Sequence, residues 1–362
     1  MSVAGHSISS KAKQREILSQ IRDRILRGEW LPGDRIPSRP RLEADFGVRG
    51  MAIQRALDSL AADGFIHSRR RLGTFVAERL PCESRYGVLF ATEPADPNNW
   101  RGFCTSLIHQ FDEISERQSV EFEAYYRISD TGSSAYQKLL ADSQAHRLAG
   151  LIVVDVPNVV RGTPLADLDG IPKVLIRSGR PSPGLPQVSL DHAQWIELAL
   201  DRVAAKGRSR VAIITHGGLM IDHGEADLIQ AAYRTRGLHW DPRLIQCGDL
   251  HHPQTATNLA RLLVTSGLRP DALLITDDNL VNSALAGLIQ ERLSVPDDIM
   301  VVGHVNFPQP GPPVLKIERL GFQSCQVLEQ CVSLLERLKK GQNVPARTYL
   351  SPVYEDDFTS DP

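Results

Sequence analysis

Apolar residues recur every three or four positions at the start of the chain and later give way to short unbroken runs. Ile17, Leu18, Ile21 and Ile25 share a helical face, with Ser9 or Ser10 available as a cap, so residues 11–27 read as an amphipathic helix stopped by Gly28. Pro32-Gly33-Asp34 forms a tight turn. Ile36 is extended, because a residue before proline is pushed out of the helical region. Ser38 caps a second predicted helix that carries Leu42 and Phe46 and stops at Gly47. A third follows Val48-Arg49 and keeps Ile53, Leu57 and Leu60 on one face until Gly64. Two short strands, 65–68 and 74–77, flank Arg69-Arg70-Arg71-Leu72-Gly73. Two short helices joined by a small turn and followed by a hairpin describe a winged helix-turn-helix.

From Tyr86 the rhythm changes. Strand-like runs at 86–91, 121–126, 150–154, 173–176, 210–215, 272–276 and 299–303 are separated by helical patterns at 103–118, 193–206, 228–236, 255–266 and 280–292. Alternation of strand and helix implies an α/β fold with parallel sheets and right-handed crossovers. A stretch this long suits two lobes better than one. The predicted organisation is a winged helix-turn-helix over 1–78, a linker at 79–85 containing Pro81, and a two-lobed domain over 86–362.

Composition narrows the class without naming it. Of 362 residues, 42% are hydrophobic and 23% charged, which excludes a disordered chain and a coiled coil. The net charge of −2 hides a division. Residues 1–80 hold 15 Lys and Arg against 9 Asp and Glu, and the remainder 26 against 34, so a head of +6 sits on a body of −8. Such a head is suited to a polyanion. The five cysteines are scattered and form no CxxC pair, which points to a reducing compartment and to neither a disulfide framework nor a zinc site. The polar start and the absence of a long apolar run predict a cytoplasmic protein. His216, His223, His251 and His252 lack metal-ligand spacing, so neither metal nor cofactor is expected.

Reading duplex DNA needs donors for base edges on the second helix of the pair and cations for phosphate nearby. The third helix opens Arg49-Gly50-Met51-Ala52-Ile53-Gln54-Arg55, in which Arg49 and Gln54 suit guanine and adenine respectively. Arg39 and Arg41 place charge beside a helix N-terminus. Arg69, Arg70 and Arg71 crown the hairpin, where Gly73 and Thr74 let the chain turn closely.

Gly28-Glu29-Trp30-Leu31-Pro32-Gly33-Asp34-Arg35-Ile36-Pro37-Ser38, then Leu42, Phe46-Gly47-Val48, Ala56-Leu57, Leu60, Gly64 and Gly73-Thr74-Phe75-Val76, resembles the GntR-type winged-helix domain over about 65 residues. The resemblance implies DNA binding. It departs where members carry Glu-Arg after Pro-Ser, since this chain has Arg39-Pro40. It departs again where they read Ser-Arg-Thr-Thr-Val-Arg, against Arg49 to Gln54 here. The arginines are displaced rather than lost, so DNA binding is expected but the family's usual operator is not.

The body resembles the LacI-type effector domain, a periplasmic-binding-protein-like fold. The matching stations are Val188-Ser189-Leu190-Asp191, Lys206-Gly207-Arg208-Ser209-Arg210, Arg269-Pro270-Asp271 leading to Thr276-Asp277-Asp278, Val295 to Gly303, Leu320-Gly321 and the closing helix 325–339. The resemblance implies a small ligand, usually a sugar, between the lobes, and a homodimer on a pseudo-palindromic operator. It also implies pocket residues at Trp100, Arg177, Asp191, Glu225, Asp278 and Asn306. Members commonly place arginine where Glu225 stands, and Phe-Asp or Tyr-Asp where this chain has His304-Val305-Asn306, so the ligand contacts differ.

The resulting expectation is a ligand-controlled transcriptional repressor of carbohydrate utilisation, not an enzyme. The alternative is a sugar-binding or sugar-processing enzyme with a basic appendage. That enzyme would need a pair of carboxylates aimed at one point, whereas Asp277 and Asp278 are adjacent in sequence and otherwise suit a helix cap. A transport binding protein would need a leader segment.

Overall fold

The computed structural model describes residues 4–48, 50–96, 99–154, 171–177, 184–216, 225–308 and 314–358. Contacts divide the chain into two compact units, 1–85 with 141–149, and 86–140 with 150–362.

In the first unit, α1 (Ala4–Leu26), α2 (Arg39–Phe46) and α3 (Gly50–Ala62) precede a hairpin of β1 (Ile66–Arg69) and β2 (Gly73–Val76). The apolar periodicity reaches its target: Ile17, Ile21, Ile25, Leu42, Ile53, Ala56, Leu60, Phe65 and Val76 form one buried cluster. α1 begins before the predicted cap, so Ser9 and Ser10 lie inside it. Ser38 takes the N-cap position of α2 with an extended backbone, yet its side chain makes no capping bond. Pro40 in the first turn, already fixed at a helical φ, helps set that start instead. α2 ends on Gly47 at φ 60°, whose N–H returns to the Glu43 carbonyl, a conformation that favours glycine. The hairpin pairs Ile66 with Val76 through to Arg69 with Gly73. Within the predicted linker, Pro81–Ser84 forms a helical turn, α4, with Leu80 buried before it. Asp63, itself buried, pairs with Arg147 at 2.7 Å, and Arg147 also holds Asp142 at 2.7 Å.

The second unit contains two six-stranded sheets. The first has the order β13-β7-β6-β5-β3-β4, where β3 is Arg85–Leu89, β4 Glu121–Tyr125, β5 Gly150–Val154, β6 Lys173–Ile176, β7 Gln187–Leu190 and β13 Arg347–Leu350. The second has the order β14-β12-β11-β10-β8-β9, with β8 Val211–His216, β9 Ile245–Gly248, β10 Ala272–Ile275, β11 Met300–Phe307, β12 Glu318–Gln323 and β14 Val353–Tyr354. Neighbours in the second sheet run parallel except β12 and β14, which are antiparallel. The described chain passes between the sheets three times. It crosses from β7 into α8 (His192–Ala205), from β12 into α12 (Ser324–Lys339), and from β13 into β14.

The helix expected over 103–118 is two, α5 (Gly102–His109) and α6 (Phe111–Gln118), meeting at Gln110. α7 (Ser134–Gln144) is not among the elements that the sequence predicts, nor are β7, β9, β12, β13 and β14. In the second sheet α9 (Glu225–Thr235), α10 (Thr255–Thr265) and α11 (Asp278–Gln290) follow the predicted runs. β11 is longer than expected and buried along its whole length, carrying His304 and Asn306 inside. Gly321 is required by close packing, since a Cβ there would lie 1.6 Å from the Val305 carbonyl oxygen on the neighbouring strand. Tyr233 of α9 is fully buried and donates to the Val211 carbonyl at 2.9 Å. Tyr233→Phe removes that bond and is expected to lower stability by about 1 kcal/mol in urea unfolding. An unchanged midpoint would show that the bond contributes nothing.

Candidate functional site

On α3, Ile53, Ala56 and Leu60 turn inward, whereas Met51, Gln54, Arg55 and Asp58 form an exposed stripe at helical spacing. Met51 is 66% exposed, far more than a thioether with a core role would be. Gln54 donates to Asp58 at 2.8 Å, so its amide is aligned along the helix rather than outward. Arg55 is exposed. Arg49 lies outside the described residues. Gly50 allows a close approach: a Cβ there would meet the Arg39 guanidinium at 2.1 Å and Glu43 Oε1 at 2.7 Å. Arg39 itself donates to Glu43 at 3.0 Å, and Arg41 pairs with Asp45 at 3.2 Å across an exposed helix turn.

At the hairpin, Arg69 is partly engaged. It donates to His67 Nε2 at 3.0 Å, stands over the Phe75 ring at 5.1 Å and reaches Glu78 at 3.4 Å. Arg70 and Arg71 are exposed, and Arg71 holds φ 66° at the tip. Gly73, at φ 118°, lies under Arg35, whose Nε would be 2.6 Å from a Cβ. Thr74 Oγ1 meets Ser68 Oγ at 3.3 Å across the hairpin. The structure therefore offers Met51, Gln54 and Arg55 on one face, and Arg70 and Arg71 on the wing. Arg39 and Arg41 are tied to acidic partners by weak exposed pairs that phosphate can replace.

The second unit concentrates chemistry at the C-terminal ends of its strands, where open parallel sheets place ligands. Ile214, Ile275 and Gly303 sit abreast, so the next row holds Thr215, Thr276 and His304. The two threonine hydroxyls bond each other at 2.9 Å. Asp277 caps α11, accepting from the Asn279 N–H at 2.9 Å, and lies 4.0 Å from His216 Nε2. Asp278 follows, with Asn279 Nδ2 donating to it at 3.0 Å. Gly102 at the start of α5 abuts it so closely that a Cβ there would meet Asp278 Oδ2 at 2.3 Å. The Gly102 N–H donates to Asn279 Oδ1 at 3.1 Å, and Arg101 Nη1 to the Leu250 carbonyl at 2.9 Å. The two lobes thus meet across Asp278.

His304 and Asn306 project from one face of β11, two residues apart. Both are buried. Among the described residues neither ring nitrogen of His304 has a hydrogen-bond partner, nor has either terminal atom of the Asn306 side chain. The His304 ring is enclosed by His192, Trp195 and Phe322 at 5.6–6.1 Å between centroids. From the other lobe, Phe90, Trp100 and Tyr126 contact one another at 5.3–5.9 Å. The Trp100 Nε1 donates to Thr105 Oγ1 at 2.7 Å, which fixes the indole.

Burial pushes the Asp278 carboxyl up to about 7, and the neighbouring Asp277 charge adds to it, while backbone N–H groups and the Asn306 amide, which faces the carboxylate without closing a full hydrogen bond, favour the anion. Burial also pulls His304 down to about 4, with Asp277 opposing and His216 assisting, so this imidazole is neutral at pH 7. The signs are opposite in consequence. A raised carboxyl makes the fold less stable as pH climbs towards its folded value, whereas a depressed imidazole costs stability only below the ordinary histidine range. Between about pH 6.5 and 7.5 Asp278 acts with little opposition from His304. Asp278→Asn is expected to flatten the decline of melting temperature with pH in that window; an identical slope in the variant would contradict the burial of the carboxyl.

The remaining pocket expectations fare unevenly. Asp191 is engaged as the N-cap of α8, accepting from the Gln194 N–H at 3.0 Å. Arg177 directly follows β6, where its carbonyl accepts from Gln187 Nε2 and Ser189 Oγ, both at 2.7 Å, and its side chain is half-buried. Glu225 opens α9, and its side chain lies outside the described residues, as do His223 and the loop before it. His304, His216, Phe90, Tyr126 and Gly102 were missed. The alternation of His304 and Asn306 beside Val302 and Val305 was the available signal, since two polar residues on one face of an otherwise apolar strand are out of place there. A surface groove of about 500 Å³ beside Gln118, Gln326, Gln330 and Glu336 shares no residue with this layer.

Residues 13–76 match the gntR family of bacterial regulatory proteins, and residues 200–354 match the periplasmic binding protein-like domain. The histidine utilization repressor of Klebsiella aerogenes is 43% identical over 63 residues, which cover 17% of this chain and 26% of the relative. The chain spans only 18–28% of the length of the curated relatives that match its head most strongly. The arabinose metabolism transcriptional repressor of Geobacillus stearothermophilus is 22% identical over 358 residues, covering 88% of this chain and 91% of the relative. A solved regulatory protein of the LacI family from Chloroflexus aggregans shares the fold with a TM-score of 0.60 at 16% identity, over 76% of this chain and 97% of that one. No helix among the described residues is long and apolar enough to cross a membrane.

Proposed function

We propose that this chain, a GntR-type winged-helix head joined to a LacI-type effector body, is a ligand-controlled transcriptional repressor. One observation carries the reading: the same chain bears an exposed Met51, Gln54 and Arg55 stripe beside free hairpin arginines, and a separate buried layer of unpartnered polar atoms. The first is built for a duplex and the second for a small molecule.

In this reading α3 enters the major groove, with Arg49, Gly50, Met51, Gln54 and Arg55 facing bases. Arg39, Arg41, Arg69, Arg70, Arg71, Gly73 and Thr74 serve backbone or minor groove. A homodimer formed through the body reads a pseudo-palindrome in the cytoplasm. The likeness to an arabinose repressor along most of the chain supports a carbohydrate-utilisation operon and a sugar or sugar derivative as effector. Trp100, Asp278 and Asn306 are its contacts, with Arg177 at the rim and Glu225 at the start of α9; Asp191 supports from beneath by capping α8. Coupling of about 1–3 kcal/mol between effector and operator, roughly 5–150-fold in affinity, suffices for regulation. The enzymatic alternative draws no support from the acidic pair, because Asp277 is occupied by the α11 cap and His216.

The test is selection of duplexes from a random pool by the purified chain, followed by titration at several salt concentrations. Selected fragments are expected to bind about 10³-fold or more tighter than the starting pool, with affinity falling steeply as salt rises. Equal affinity for both populations would refute the regulator reading. Arg70→Ala with Arg71→Ala is expected to reduce the salt slope by about 2 while leaving the selected sequence unaltered. A shift in sequence preference would instead place these arginines on bases.

A further inference from the structure

We propose that the effector is a hydroxylated primary amine, an amino sugar or amino polyol, whose ammonium meets Asp278 and whose hydroxyls meet Asn306 and His304. The inference rests on the regulator reading for the role of the ligand, but its own basis is the charge and valence of the buried layer.

Charge comes first. Asp278 is enclosed between the N-termini of α11 and α5, and among the described residues no cationic side chain forms an ion pair with it. Its neighbour Asp277 is served by His216 and by Asn279, with Asn279 Nδ2 donating at 2.8 Å. An uncharged sugar would leave the Asp278 anion buried without a counter-charge, or force it to take up a proton. A sugar phosphate or uronic acid would add a like charge to the acidic pair. An ammonium neutralises the carboxylate and brings three donors to oxygens that accept only. The carboxyl's reluctance to ionise when closed off describes a site lacking one positive charge.

Valence comes second. The His304 imidazole leaves two nitrogens buried without partners, one donating and one accepting once the neutral ring has chosen its tautomer, and the Asn306 amide, which faces Asp278 without closing a full hydrogen bond to it, offers one donor and one acceptor more. Hydroxyl groups satisfy both kinds at once, which a purely aliphatic amine does not. Shape is third. Phe90, Trp100 and Tyr126 form an aromatic cluster in the opposite lobe, in which Phe90 is buried and Trp100 and Tyr126 remain half-exposed, suited to the C–H side of a carbon skeleton and tolerant of a nearby cation.

The experiment uses the full chain at pH 7. D-glucosamine, D-galactosamine and D-mannosamine are compared with their parent hexoses and their N-acetyl derivatives by thermal shift and calorimetry. At least one amine is expected to bind about 10-fold or more tighter than both of its uncharged counterparts, and Asp278→Asn to bring the three forms to parity. The proposal is overturned if a parent hexose or N-acetyl sugar binds as tightly as its amine, if none of the three amines binds, or if the preference persists in Asp278→Asn. The comparison among sugars on the unmodified chain stands even if that variant folds poorly. Sequence-selective DNA binding, measured on the same preparation, separates the two claims. Its absence would remove the regulator reading and leave an amine preference intact, whereas operator binding without amine preference would do the reverse.

Discussion

Gln54→Ala combined with Arg55→Ala is expected to lower affinity for a selected operator by about 10²- to 10⁴-fold, as each well-placed base contact is worth about 1–3 kcal/mol. Affinity for random duplex is expected to fall by no more than about 10-fold, because in the proposed complex Arg41, Arg70 and Arg71 still meet phosphate. The two side chains neighbour each other on the exposed stripe of α3 and neither contributes to the buried face formed by Ile53, Ala56 and Leu60. Folding should therefore survive, which circular dichroism will check. Gln54 is held by Asp58 in the absence of DNA, so reading a base requires the amide to leave that bond. The exchange is cheap at an exposed site, where water competes for the same groups. Footprints of unchanged position and strength on the double variant would show that another element reads the sequence.

His304→Phe is expected to do two opposite things. The effector-free chain gains about 1–3 kcal/mol, since a buried imidazole with no partner for either nitrogen is replaced by an apolar ring that fits among His192, Trp195 and Phe322. Effector affinity is expected to fall by about 10-fold or more, because the proposed ligand loses a polar contact, and the effector's influence on operator binding is expected to weaken in step. The urea midpoint should rise with the denaturant slope unchanged. A less stable variant, or one that responds to effector as before, would mean that the ring nitrogens are satisfied in solution and play no part in recognition. Few core substitutions separate function from stability so cleanly, because most remove packing along with chemistry.

The head was legible from local signals. Ile17, Ile21 and Ile25 on one helix, Ile53 and Leu60 on another, and a glycine at each stop left few other ways to bury the apolar face. The alternation of strands and helices likewise announced two parallel sheets. What escaped were elements whose residues carry no period. β9 is Ile245-Gln246-Cys247-Gly248 at a sheet edge, with Cys247 exposed, and β13 is half-buried except at the exposed Tyr349, so neither shows the unbroken apolar run of a central strand. The division of the 103–118 helix at Gln110 was invisible because the hydrophobic pattern continues through the joint.

The candidate site was read in part. Asp278, Asn306 and Trp100, which the family likeness singled out, lie in or beside the layer described above. His304 was quoted only as a departure from it, and its role depends on which way β11 faces and on what fails to meet its nitrogens. Those facts belong to three dimensions. Asp191 is a carboxylate at a family station with a second task that its sequence position did not reveal, the start of α8.

Among the described residues, three separate segments of chain cross from one sheet to the other, and this limits how the lobes can move. A single tether would permit tumbling and two would leave a swing with play in it, but three favour bending about one axis. A molecule wedged between the lobes then has one kind of output available, whatever its own shape. Substitutions among the lining residues can retune which metabolite is sensed without rebuilding the machinery that reports it, so sensing and signalling are free to evolve on separate schedules.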